Sequence, residues 1–179
     1  MKRSTVYDQF KSFPSRSIKK GEYLLRPGDL TKNFFYVEKG CLRSYVTDSK
    51  GKEHVYQFAP EDWVISDEEA LMENKPAILY IDAIEDSEIK VLSNPDLNEW
   101  TNLDKDAASQ MIQQLQKKIN TFRRRIIQLL SASAEQRYST FIKTYPNLAQ
   151  RIPQKMIASY LGITPESLSR VRKELSEKK

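Results

Sequence analysis

Glu166, Ser167, Ser169 and Arg170 stand within one short polar stretch, PESLSRVRK, and they carry the donors and acceptors that read base edges. An arginine guanidinium can donate two parallel hydrogen bonds to guanine, and a glutamate can accept from the cytosine amino group. Serine hydroxyls can do either, at shorter reach. Gln154, Lys155, Arg172 and Lys173 flank them with side chains suited to phosphate oxygens, which set position rather than sequence. A solvated helix face would use the same residue types. What decides between the two is the frame that presents them.

That frame is QKMIASYLGITPESLSRVRK, residues 154 to 173. Ala158 is small enough to let a second helix cross closely over the first. Gly162, four residues on, supplies a backbone able to take positive φ at the turn. Ile157, Leu161, Ile163, Leu168 and Val171 fall at the spacings of two inner helix faces. Thr164 and Pro165 read as the N-cap and first residue of the second helix. The spacing therefore predicts a helix-turn-helix. An ordinary αα-hairpin can also turn on a glycine, but the outward face here carries Arg170, Arg172 and Lys173.

Charge points the same way. The net charge is +5, yet residues 117–179 hold fourteen Lys/Arg against four Asp/Glu, whereas residues 1–116 hold fifteen against twenty. A basic C-terminal third beside an acidic remainder is the footprint of a nucleic-acid binder with a separate second function.

The other classes fare poorly. With 179 residues, 39 % of them hydrophobic, the chain has room for one medium domain and a small one. No apolar run is long enough to cross a membrane, and the start, MKRSTVYDQFKSF, has no secretory core, so the cytoplasm is expected and no membrane partner. Cys41 alone can make neither an internal disulfide nor an iron–sulfur site, and His54 is the only histidine. No metal or cofactor is expected. Without a phosphate loop, a nucleophile elbow or a Cys/His pair, and with Asp67 and Glu68 reading as a solvated acidic face, an enzyme is not expected.

Between 18 and about 92 the apolar stretches are short and separated by turn signals such as Arg26-Pro27-Gly28-Asp29 and Glu38-Lys39-Gly40. That rhythm predicts a closed or sandwiched β-structure, interrupted at 61–77 by a short helix and loop. From about Asp96 the period turns helical. Ile112, Leu115, Ile119, Phe122, Ile126 and Leu129 recur at steps of three and four, with Ala108 extending the series backwards. This a/d seam of about three heptads predicts a long helix that pairs with its counterpart in a second copy. Packing of the same stripe on its own domain is the alternative. A further helix over Ala134–Lys143 and a break at Tyr145-Pro146-Asn147 lead into the helix-turn-helix, which starts near Pro153.

A β-rich half, a long seamed helix and a C-terminal helix-turn-helix together resemble the Crp/Fnr family of bacterial transcription regulators over nearly the whole chain. The N-terminal landmarks are Gly21-Glu22-Tyr23-Leu24-Leu25-Arg26-Pro27-Gly28, Phe35-Tyr36-Val37-Glu38-Lys39-Gly40 and Asp48-Ser49-Lys50-Gly51-Lys52-Glu53, which look like the glycine turns of a cyclic-nucleotide-binding β-roll. The resemblance implies an α+β chain: an N-terminal double-stranded, jelly-roll-like β-roll sensor (1–100), a dimerisation helix (101–131) and a helix-turn-helix DNA-binding domain (132–179). It implies a homodimer on a pseudo-palindromic duplex, an unknown small-molecule effector, and RNA polymerase as a further candidate partner. Two departures matter. Residues 61–69 lack the Gly-Glu pair, and 73–80 lack the arginine, with which family members hold a cyclic nucleotide, so the effector is not expected to be cyclic AMP. The recognition motif Arg-Glu-x-x-x-Arg survives only as Glu166 and Arg170, with Pro165 in the first arginine's place. With six residues after Lys173, a C-terminal wing is expected to be absent or cut short. The competing class is a ligand- or partner-binding sensor or adaptor that does not read DNA specifically.

Overall fold

The alternating strands and the turns between them settle into two antiparallel sheets. The computed structural model describes Phe10 and residues 13–93 and 105–177. The strands are β1 (Ser15–Ile18), β2 (Tyr23–Leu25), β3 (Asn33–Lys39), β4 (Leu42–Thr47), β5 (Glu53–Ala59), β6 (Val64–Ile65), β7 (Tyr80–Ala83) and β8 (Ser87–Ser93). One sheet runs β1-β8-β3-β6 and the other β2-β7-β4-β5. Only β4 and β5 are both consecutive and paired, so most of the ladder joins distant segments: Phe35 faces Val91, and Arg43 faces Asp82.

The core of this unit holds Ile18, Leu25, Phe35, Val37, Leu42, Ala59, Ile65, Ile81, Ala83 and Ile89, all buried. Fully burying one such large side chain contributes about 1.5–3 kcal/mol. Gly40 turns β3 into β4 at φ 95°, and a Cβ there would run into the Ser87 side chain. A salt-bridged network crosses the second sheet. Buried Arg43 donates to both Asp82 oxygens (2.7 and 2.9 Å) and to Glu53 (2.6 Å), and its guanidinium lies over Tyr45. Burial pulls the Arg43 pKa down, but the bonds to Asp82 and Glu53 outweigh it and hold the pKa above its usual value.

The short helix expected near 67–72 is α1 (Glu68–Glu73). Asp67 caps it and accepts from the Ala70 N–H at 3.2 Å, and Asn74 closes it in the left-handed region.

The chain divides into two compact units, residues 1–110 and 111–179. The second contains most of the long helix α2 (Lys105–Ser131), then α3 (Ala134–Thr144), α4 (Leu148–Arg151), α5 (Gln154–Leu161) and α6 (Pro165–Glu177). The expected change of period at Asp96 and the expected boundary between residues 100 and 101 lie outside the described residues, as do residues 1–9 and the Ala108 side chain. Short α4 was not expected. It follows the expected break at Tyr145-Pro146-Asn147: Leu148 is buried and its carbonyl accepts from the Ile152 N–H at 2.9 Å, which closes one extra turn. Among the described residues no helix is long and apolar enough to cross a membrane.

Candidate nucleic-acid interface

Two helices and their turn present the candidate base readers. In α5, Ala158 is wholly buried beside Ile157 and Leu161, and α6 answers with Leu168 and Val171. Gly162 takes φ 65° and ψ 36°, and the Ile163 N–H returns to the Ala158 carbonyl at 3.0 Å. The left-handed glycine thus ends α5 and brings N–H groups back to the Ala158 and Ser159 carbonyls. Thr164 then caps α6: its Oγ1 accepts from the Ser167 N–H at 3.2 Å and donates to the Ser167 hydroxyl. Each of these was legible in the residue spacing.

With that inner face sealed, α6 turns Glu166, Ser169, Arg170 and Lys173 to solvent. Their spacing of three and four residues places them on one side of the helix. Ser167 is half-buried and hydrogen-bonded to Thr164, so it sits at the cap rather than on the open face. Arg172 is also half-buried. Gln154 and Lys155 are exposed in the first turn of α5. Lys173 stands 3.9 Å from Glu177, one turn on. Glu166 is held below the usual carboxylate range, first by its own backbone N–H and then by the Thr164 hydroxyl. It is therefore ionised at neutral pH, with both carboxylate oxygens able to accept hydrogen bonds.

Sequence reasoning missed how the turn is held. Arg125 of α2 donates to the Tyr160 carbonyl at 2.9 Å, and Arg137 of α3 donates to the Leu161 carbonyl at 2.7 Å. Two guanidiniums thus meet the carbonyl end of α5, where the helix dipole is negative. Arg125 also lies 4.2 Å above the Tyr160 ring, which packs with Phe141 and Tyr145. Burial raises the Tyr160 phenol pKa, against the Arg125 charge and the Tyr145 hydrogen bond. The α3 start carried a signal: Ser133 and Gln136 form a reciprocal capping box, readable as Ser-x-x-Gln. The arginine caps carried none, since they join residues 24 and 35 positions apart.

The seam residues of α2 are largely uncovered in the single chain. Ile112, Leu115, Ile119 and Ile126 are 47 to 63 % exposed, Leu129 is 38 % exposed, and Phe122 is half-buried. Ile127 and Leu130, off the strict seam, are exposed as well, so the apolar stripe is wider than the heptad reading.

In the first unit, the stretch without Gly-Glu folds its own carboxylate inward. Asp67 is buried, and one oxygen accepts from the Ile78 and Leu79 N–H groups at 2.9 and 3.1 Å while the other caps α1. Buried Ala77 lies in the 73–80 segment, which carries no arginine, and Lys75 pairs with Glu73 at the surface.

Comparison with known proteins agrees with this architecture. Residues 15–104 match the family model described as cyclic nucleotide-binding domain. Electron transport regulator A of Shewanella oneidensis is 25 % identical over 170 residues, covering 87 % of this chain and 66 % of that protein. The fumarate and nitrate reduction regulatory protein of Escherichia coli is 24 % identical with the same coverage. The chain thus spans slightly less than two thirds of the length of these relatives. The structure of FixK2 from Bradyrhizobium japonicum superposes with a TM-score of 0.79 at 21 % identity, covering 93 % of this chain and 85 % of that one.

Proposed function

The chain belongs to the family of cyclic nucleotide-binding domains in its Crp/Fnr form, and from that premise we propose that it is a homodimeric, sequence-specific DNA-binding transcription regulator. One observation carries the reading. Glu166 and Arg170 stand one helical turn apart on the open face of a helix whose opposite face is sealed by Leu168 and Val171. Arg170 addresses guanine, Glu166 cytosine, and Ser169 contributes a shorter contact, while Ser167, held at the helix cap by Thr164, positions that face rather than reading from it. Gln154, Lys155, Arg172 and Lys173 take phosphates. The exposed seam of Ile112, Leu115, Ile119, Phe122, Ile126 and Leu129 pairs two copies and so sets two recognition helices on a pseudo-palindromic duplex.

In this proposal residues 1–100 form the sensor, 101–131 the dimer helix and 132–179 the DNA-binding domain, working in the cytoplasm with RNA polymerase as a candidate partner. The sensor's effector is not cyclic AMP. A phosphodiester needs backbone donors and a cation. Here the Ile78 and Leu79 donors already serve Asp67, which adds a negative charge where the phosphate would lie, and Ala77 brings no cation.

Selection of bound sequences from random duplexes tests the reading. The expected product is two inverted half-sites with centres about 34 Å, one helical turn, apart. Recovery of no motif, from a protein that also ignores random duplex at low salt, would leave an adaptor instead.

A further inference from the structure

The joint between α2, α3 and the end of α5 encloses a cleft of about 120 Å³. Its chemistry is one-sided. Arg124, Arg125, Arg137, Thr121, Thr140 and Thr144 all line it, and no carboxylate does. Two of the arginines already spend one nitrogen each on the Tyr160 and Leu161 carbonyls. The Arg137 Nε–H is nevertheless buried and meets no acceptor among the described residues. Arg124 is exposed and pairs with no carboxylate among them.

A packing flaw would look different. Empty cavities are lined by apolar side chains alone. This one sets three guanidiniums, three threonines and Gln128 beside Leu129, Phe141, Tyr145, Tyr160 and Leu161, with one buried guanidinium N–H, that of Arg137 Nε, left without an acceptor among the described residues. Guanidinium forks match oxyanions in shape as well as in charge, and threonine hydroxyls can add donors. We propose that the cleft is an anion site that seats one compact oxyanion group of a small molecule, distinct from the base-reading face of α6. Such a group would bridge α2, α3 and the turn of the helix-turn-helix. It would fix the two guanidiniums that hold that turn, so binding would stiffen the joint through which α2 supports α5.

The test uses inorganic phosphate as the probe on the full chain labelled with ¹⁵N, with sodium chloride at matched ionic strength as control. The arginine Nε–H cross-peak of Arg137 should shift saturably with phosphate and stay put with chloride. Arg124→Gln removes a lining charge that holds no hydrogen bond among the described residues. It should leave the melting temperature unchanged and weaken phosphate roughly tenfold or more, the worth of one charged hydrogen bond. Arg137→Gln, followed through the Arg125 Nε–H cross-peak, should abolish the phosphate-dependent shift, and Arg124→Gln decides the matter if that variant does not fold. A cross-peak that ignores phosphate, or moves equally with chloride, overturns the proposal. So does unchanged phosphate affinity in Arg124→Gln, or a shift that only duplex DNA elicits, which would make the cleft a contact to the DNA backbone.

Discussion

Arg170 and Glu166 occupy one face of α6, and as the proposed base readers they would act in opposite senses on a duplex. The arginine is drawn to the phosphate field everywhere and gains extra only at guanine. The glutamate is repelled everywhere and recovers only where a cytosine amino group meets it, so it contributes selectivity at a cost in general affinity. Its depressed pKa keeps it charged. A carboxylate lowered in the folded state stabilises that state above the usual value of 4.5 and loses the effect as pH falls through the folded value, so neutral pH leaves it intact. Arg170→Ala is expected to cost roughly 1–3 kcal/mol on the selected site and to relax one base pair per half-site. Lys173→Ala, which removes a proposed phosphate contact, should weaken all duplexes alike and flatten the salt dependence. Binding isotherms on cognate and scrambled duplex across a salt series separate the two. Equal losses on both duplexes for Arg170→Ala would remove it from the base readers.

At the scale of elements, the turn after α5 is the most constrained point in the second unit. Gly162 lies at φ 65°, and a Cβ there would stand 3.1 Å from Leu129 Cδ2 and 3.4 Å from Arg137 Nη1. Gly162→Ala should therefore lower stability by about 1–2 kcal/mol, the cost of a left-handed Cβ, with more added if Leu129 cannot yield. Chemical denaturation read by circular dichroism measures it, and an unchanged midpoint would show the turn to be softer than its geometry. The glycine, the Thr164 cap and the apolar faces of α5 and α6 were legible because each is a local signal within one turn of helix. Six of the eight strands were legible as strands for the same reason, whereas β1 precedes the alternating stretches and the two-residue β6 falls in the 61–77 segment expected to be helix and loop. Their order was not: β2 pairs with β7 and β1 with β8 across more than fifty residues, and alternation says which face is buried but not which strand lies alongside. Asp67 shows a further gap. The missing Gly-Glu pair was visible in the sequence, but only the fold reveals that the carboxylate takes up the nearby backbone donors.

At the scale of the whole molecule, the proposed dimer must overcome the like charges that a parallel seam places at facing positions, Lys118 and Arg123. The structure shows one way to soften this: the Lys118 ammonium folds back to 5.8 Å from the Phe122 ring of its own helix, where the ring face attracts it. Against that residual repulsion stands the uncovering of Ile112, Leu115, Ile119 and Ile126, about half or more of each in water. Burying apolar surface at about 25 cal/mol per Å² outweighs screened surface charges, which are worth about 1 kcal/mol or less per pair. Ile119→Glu places a carboxylate at the middle of the seam and tests the balance. Sedimentation should find the unaltered chain dimeric and the variant monomeric, with the far-ultraviolet spectrum retained because Ile119 is 63 % exposed in the single chain. Affinity for the two-half-site duplex should drop to that for a single half-site, since the second recognition helix would no longer be tethered to the first. A variant that stayed dimeric, or a monomer that held the full site as tightly as before, would show that this stripe is not what brings two recognition helices together.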